Sequence, residues 1–116
     1  MLNKVQLIGH VGHDVEIRST PQGTKVADLR IATTRYWRDA EGERQEETEW
    51  HRAVFWGKSA ENVATVLGKG RLVYIEGRLQ TRSWEDDAGV KHYRTEVVAE
   101  SWQALSRAAD DGEAAA

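Results

Sequence analysis

The chain of 116 residues contains no cysteine, which excludes disulfides and thiolate metal sites. It has no apolar run approaching the length of a membrane span, and residues 1–12 show neither a basic leader nor a long apolar stretch. A soluble, cytoplasmic protein of one domain is expected at this length. Its core is small, so oligomerisation would help stability. There is no internal repeat, and no Ser/His/Asp constellation stands at matching positions for nucleophilic chemistry. Gly57-Lys58-Ser59 resembles the end of a phosphate-binding loop, but that motif needs a glycine five residues before Gly57, where Arg52 stands. His10, His13 and Asp14 lie near a glycine bend and form only a weak metal signal, so neither metal nor cofactor is expected.

A cationic excess is also missing. Sixteen Lys and Arg face 19 Asp and Glu, for a net charge of −3, whereas nucleic-acid binders are usually basic. The charge is segregated, however. All 16 cations and 19 − 3 = 16 of the acids lie in residues 1–107, while Asp110, Asp111 and Glu113 lie beyond it without a cation. Glu41, Glu43, Glu46, Glu47 and Glu49 crowd one short segment that reads as a solvated loop. A neutral body with segregated charge can still present a basic groove.

What is abundant is tryptophan, with five in the chain. Four of them sit beside cations or in strand-like runs: Tyr36-Trp37-Arg38, Glu49-Trp50-His51-Arg52, Phe55-Trp56-Gly57-Lys58 and Arg82-Ser83-Trp84. Aromatic faces interleaved with cations stack unpaired bases and hold their phosphates. Trp102, between Val97-Val98 and Leu105, is assigned to packing or an interface.

Alternation of apolar and polar residues predicts strands over 3–8, 15–19, 26–37, 48–56, 71–84 and 93–105. Thr20-Pro21-Gln22-Gly23 is a turn, residues 38–47 a polar hairpin loop around Gly42, and Asp87-Ala88-Gly89 another turn. Ala60, Val63, Ala64 and Leu67 recur at helical spacing, with Ser59 placed to cap the start and Gly68 the end. Ala27, Leu29 and Ile31 face inward on their strand. Val73, Ile75, Gly77 and Leu79 share one face of theirs, and Arg78, Arg82 and Trp84 the other. Three main strands, a helix and two strands match the order of an OB-fold, whose helix falls between strands 3 and 4; pattern alone leaves an SH3-like or other small barrel open.

The blocks around the tryptophans resemble those of bacterial single-stranded DNA-binding proteins. The resemblance rests on Asn3-Lys4-Val5 through Gly9, Thr20 to Gly23, Trp37-Arg38-Asp39, Thr48-Glu49-Trp50-His51-Arg52, Lys69-Gly70 and Tyr74-Ile75-Glu76-Gly77-Arg78-Leu79, and covers about residues 2 to 105. It implies an all-β, five-stranded Greek-key OB barrel, a homotetramer or pair of dimers, and sequence-independent binding and protection of single-stranded DNA in replication, recombination and repair, without catalysis. The nucleoid would then be its place in the cytoplasm. Trp37, Trp50, Trp56 and Trp84 are the stacking candidates. Arg38, Arg52, Arg78 and Arg82 are the leading phosphate contacts among a wider set that includes Lys4, Arg18, Arg30, Arg35, Lys58, Arg71 and Lys91. The resemblance also implies an oligomer interface at His51, Asn3 and Val5, although a surface or core histidine is the equal alternative for His51.

The alternative function is an OB-fold protein-interaction module of a primosome-like or recombination complex with weak DNA binding. A nuclease or hydrolase has no coherent catalytic set behind it. The domain is expected over 1–107, followed by a short disordered acidic tail over 108–116. Family members commonly end in several acids with a hydrophobic tip that recruits replication and repair enzymes. Here the acids are few and the tip is absent, which argues against recruitment by that route.

Overall fold

A computed structural model describes residues 1–105; the domain boundary at 107 and the tail over 108–116 lie outside the described residues. The elements are β1 (Val5–Val11), β2 (Glu16–Ser19), β3 (Lys25–Arg38), β4 (Arg44–Trp56), α1 (Lys58–Val66), β5 (Leu72–Glu85) and β6 (Lys91–Ala104). The sheet runs β1-β5-β6-β4-β3-β2, and β1 also pairs with β3. That last pairing, His10 with Ala32 and Val11 with Ile31, closes the sheet into a barrel. All pairs are antiparallel except β4 with β6, which are parallel through Ala53↔Val97 and Val54↔Val98. β2 is a four-residue, fully exposed strand added outside β3. The barrel proper is therefore β1, β3, β4, β5 and β6, and α1 falls between its third and fourth strands, the order of an OB-fold.

Closure turns one face of every strand inward. Ala27, Leu29 and Ile31 of β3, Ala53 and Phe55 of β4, Val73 and Ile75 of β5, Val11 and Val97 form one apolar cluster with Ala60, Val63 and Leu67 from the helix. Phe55 is the largest fully buried side chain. The helix packs against β2, β3 and β4 with its apolar stripe inward, as its spacing predicts. Trp102 packs against the same cluster. Period-2 alternation and closure together account for this core.

Four local expectations change. The helix is not capped by Ser59: Gly57 is the N-cap, at φ 65, with no side-chain cap bond. Gly57 N–H donates to Lys25 O at 2.8 Å and Gly57 O accepts from Ala60 N–H at 3.0 Å, so the chain turns directly out of β4 and leaves Ser59 inside the helix. Leu67, in an extended conformation, ends the helix in place of Gly68. The loop expected over 38–47 shrinks to 39–43, because β3 and β4 stay paired out to Arg38↔Arg44. The Asp39 carboxylate holds this tight turn, accepting from the Glu41 and Glu43 amides at 3.0 and 2.9 Å. Finally, Leu79 keeps the inward parity of Ile75 but is exposed, because β5 leaves the barrel after Gly77. There β6 carries an extra residue: Glu76 pairs with Ser101, but Gly77 pairs with Ala99. A Cβ on Gly77 would collide with the Val98 carbonyl oxygen, so the absence of a side chain lets the two backbones meet. Two long hairpins, β3–β4 and β5–β6, extend from the barrel beyond these points.

Candidate nucleic-acid interface

The outer faces of β5, β6, β4 and β3 form one continuous surface, and strand register assigns its residues. On β4, Trp50, Arg52, Val54 and Trp56 point away from Ala53 and Phe55. Across to β3 they stand opposite Ala32, Arg30, Asp28 and Val26. The parallel pairing of Val54 with Val98 brings Glu96 beside Arg52 and Arg94 beside Trp50. Across β6 to β5, Val98, Glu96, Arg94 and His92 stand opposite Arg78, Gln80, Arg82 and Trp84. Arg30, Trp50, Arg52 and Arg94 line one shallow cleft, and Arg82, Trp84 and Arg94 line the next.

This register gathers three of the four tryptophans. Trp50, Trp56 and Trp84 are 54%, 48% and 44% exposed, unusually open for rings that a fold would otherwise bury. The far edge of the Trp50 ring lies over Gly12: a Cβ there would meet Trp50 Cζ3 and, at 2.9 Å, Cη2. Trp84 stacks on His92 with centroids 5.6 Å apart, and the Arg94 guanidinium lies 5.5 Å from its ring. His92 Nε2 in turn lies 2.8 Å from Asp86 Oδ2. That hydrogen bond, followed by those from the Val90 and Ala88 amides, holds the Asp86 carboxyl below the usual carboxylate range.

Trp37 is placed differently. Its parity along β3 is that of Leu29 and Ile31, so it lies on the opposite face of the β3–β4 hairpin from Trp50, with Arg35 4.3 Å over its ring. Tyr36, half exposed, shares the Trp50 parity and is covered by Arg44 at 4.4 Å. Arg38 is near the hairpin tip, donating to Gly42 O at 2.8 Å.

The other arginines differ in freedom. Arg78 is exposed and donates to Gln80 Oε1 at 3.0 Å. The Arg82 side chain is 52% exposed and stands 3.8 Å from Glu96. Arg52 is largely occupied: Nη2 donates to Asp28 Oδ2 at 2.9 Å, and Nε is 3.5 Å from Glu96 Oε2. A phosphate at Arg52 would compete with two carboxylates. Sequence alone does not single out Arg94, yet the alternation of β6 carries the signal, since Arg94 shares its parity with Glu96 and Val98 on the outer face.

The residues proposed for a subunit interface lie elsewhere. His51 is on the opposite face of β4 from Trp50, with Nε2 2.8 Å from Thr33 Oγ1. Asn3 bonds the Leu79 backbone twice, donating to its carbonyl at 3.0 Å and accepting from its amide at 2.8 Å. Val5 packs against the core. Nearby, Glu76 is held below the usual carboxylate range by its hydrogen bonds from Tyr74 and then Lys4. His13 Nε2 accepts from the Arg30 amide at 3.2 Å, so its Nδ1 carries the proton and donates to Asp14 O at 2.7 Å. Among the described residues no group of three or more His, Cys, Asp or Glu could hold a metal ion, and no helix is long and apolar enough to cross a membrane.

Comparison with known proteins places this surface in context. The Single-strand binding protein family matches residues 2–105. The chain is 53% identical over 112 residues to Single-stranded DNA-binding protein 1 of Chlorobaculum tepidum, covering 96% of this chain and 68% of that one. Among solved structures, a Plasmodium falciparum SSB in complex with ssDNA superposes with a TM-score of 0.82 at 34% identity, covering 91% of this chain and 97% of that one. A deletion mutant of the Thermus aquaticus single-stranded DNA binding protein gives 0.80 at 36% identity, with 90% of this chain matched to 51% of that one. The OB barrel, the match across residues 2–105 and the identity to the Chlorobaculum protein together establish that the chain belongs to the single-strand binding protein family.

Proposed function

We propose that this protein binds single-stranded DNA without sequence preference, stacking bases on Trp50, Trp56 and Trp84 and taking phosphates on the arginines between them. The observation that carries the reading is the outer face of β3, β4, β6 and β5, where three tryptophans about half exposed alternate with Arg30, Arg78, Arg82 and Arg94. Stacking is tolerant of sequence because every base has a π-face, and it contributes roughly 1–3 kcal/mol per base. The phosphates add a salt-dependent term whose slope for single strands is about 0.7 per contact. Arg38 continues the path along the same face of the β3–β4 hairpin, whereas Trp37, on its opposite face, is reached only by wrapping around the hairpin edge. The structural relative from Plasmodium falciparum, solved with ssDNA, supports the assignment of ligand. No chemistry on the strand is part of this role; the protein protects DNA during replication, recombination and repair at the nucleoid.

The protein acts as a homo-oligomer, with a homotetramer the favoured state. Support comes from β1. Its residues Val5 to Ile8 pair only with β5 among the described residues, leaving one edge open, and Ile8 beside it is 58% exposed. An open edge is a template for strand pairing. Sedimentation equilibrium tests this, and a monomer at micromolar concentration would refute it. Fluorescence anisotropy with labelled oligo(dT), competed by a duplex of equal length, tests the binding. Tight binding that duplex does not displace is expected; equal preference for duplex would overturn the reading.

A further inference from the structure

Glu96 is the one charged residue among the described residues that is fully buried, at 4% exposure, and it sits in the middle of the proposed DNA face. A buried carboxylate persists only when cations compensate it. Its compensation is incomplete here. Oε1 is 3.8 Å from Arg82 Nη1 and Oε2 is 3.5 Å from Arg52 Nε, yet Oε2 and Arg52 Nε both lack a hydrogen-bond partner. Arg52 is held more firmly by Asp28, at 2.9 Å, and Asp28 also pairs with Arg18 at 2.7 Å. Three arginines and two carboxylates thus form a row with a net charge of 3 − 2 = +1. Arg52 is anchored and 25% exposed, whereas Arg82, among the described residues, is tethered only by the long contact and is 52% exposed.

We infer that Glu96 is a built-in competitor for the phosphate backbone, holding Arg82 in the free protein and releasing it to a phosphate when a strand binds. This rests on the proposed binding face. The exchange replaces one ion pair by another. Glu96 keeps its contact with Arg52, and the gain from an Arg82–phosphate contact is reduced by the Arg82–Glu96 contact it replaces. Glu96 therefore lowers affinity and speeds release of the strand, while Arg52 stays with its carboxylates.

The test is Glu96→Gln, which keeps the shape and removes the charge. With the competitor gone, affinity for oligo(dT) at fixed salt should rise roughly 2- to 5-fold, the range of a solvent-facing ion pair. Dissociation should slow correspondingly. In an Arg82→Ala background the same substitution should leave affinity unchanged. A folded Glu96→Gln protein with wild-type affinity, or with the same gain when Arg82 is absent, would overturn the competitor role. Should Glu96→Gln fail to fold, arginine side-chain NMR of the wild-type protein decides. The Arg82 guanidinium signals should move on adding oligo(dT) while those of Arg52 stay, and the reverse would overturn the inference. A wild-type protein that does not bind oligo(dT) at all would instead remove the binding face, and the competitor with it.

Discussion

Replacing Trp50 by alanine should weaken binding to oligo(dT) while leaving the fold nearly as stable as before. Trp50 is the ring where the two effects separate best. It is 54% exposed, and its buried contact is the edge resting on Gly12. Complete burial of a large apolar side chain stabilises by roughly 1.5–3 kcal/mol, so a half-exposed ring should contribute about 1 kcal/mol to folding. Loss of one stacking platform should remove roughly 1–3 kcal/mol of binding, or about 5- to 150-fold in Kd. The assay is fluorescence anisotropy with oligo(dT), with urea denaturation run on the same preparation. Gly12→Ala provides an independent check. Its new methyl would meet Cη2 at 2.9 Å, and because that atom is the outer end of an exposed ring, the ring tilts rather than the backbone. Gly12→Ala should therefore reproduce part of the binding loss with all tryptophans retained. Wild-type affinity for Trp50→Ala, or a stability loss larger than its binding loss, would refute the assignment of this ring to DNA.

Gly77→Ala should destabilise the barrel by roughly 1–3 kcal/mol or more, because the methyl would strike the Val98 carbonyl oxygen at the β5–β6 irregularity; an unchanged urea midpoint would refute that account of the glycine. Asp86 has a folded pKa below its ordinary 3.8, so its contribution is present above pH 3.8 and is lost as pH falls through the lower folded value. The Val90 amide signal, whose N–H donates to Asp86 at 2.9 Å, should titrate with a midpoint below 3.8, and a midpoint at or above that value would contradict the hydrogen-bonded turn.

Much of the barrel is legible because alternation reports which face of a strand is buried. Ala27, Leu29, Ile31, Val73 and Ile75 follow directly from it, as do Ala60, Val63 and Leu67 from helical spacing. The outward parity of Trp50, Trp56 and Trp84 is legible in the same way. Residues 44–47 are not, since both faces of the projecting hairpin meet solvent and Arg44-Gln45-Glu46-Glu47 shows no alternation. The helix start escaped because Gly57 supplies a backbone conformation where Ser59 offered a side chain. The attachment of Arg52 to Asp28 and Glu96 depends on the register of β3, β4 and β6 at once, and residues 28, 52 and 96 are too far apart in the chain for spacing to join them. Trp37 illustrates the same limit: its neighbourhood with Arg38 suggested a shared platform, but adjacent strand residues face opposite sides.

The most direct test of the account is a tryptophan-fluorescence titration with oligo(dT) at two salt concentrations, with duplex as competitor. Stacked rings predict strong quenching that weakens as salt rises and is unaffected by duplex. Absence of quenching at low salt would contradict the central claim, because three rings open to solvent on one face would then be no platform for bases, and a protein-interaction role for the same barrel would take its place.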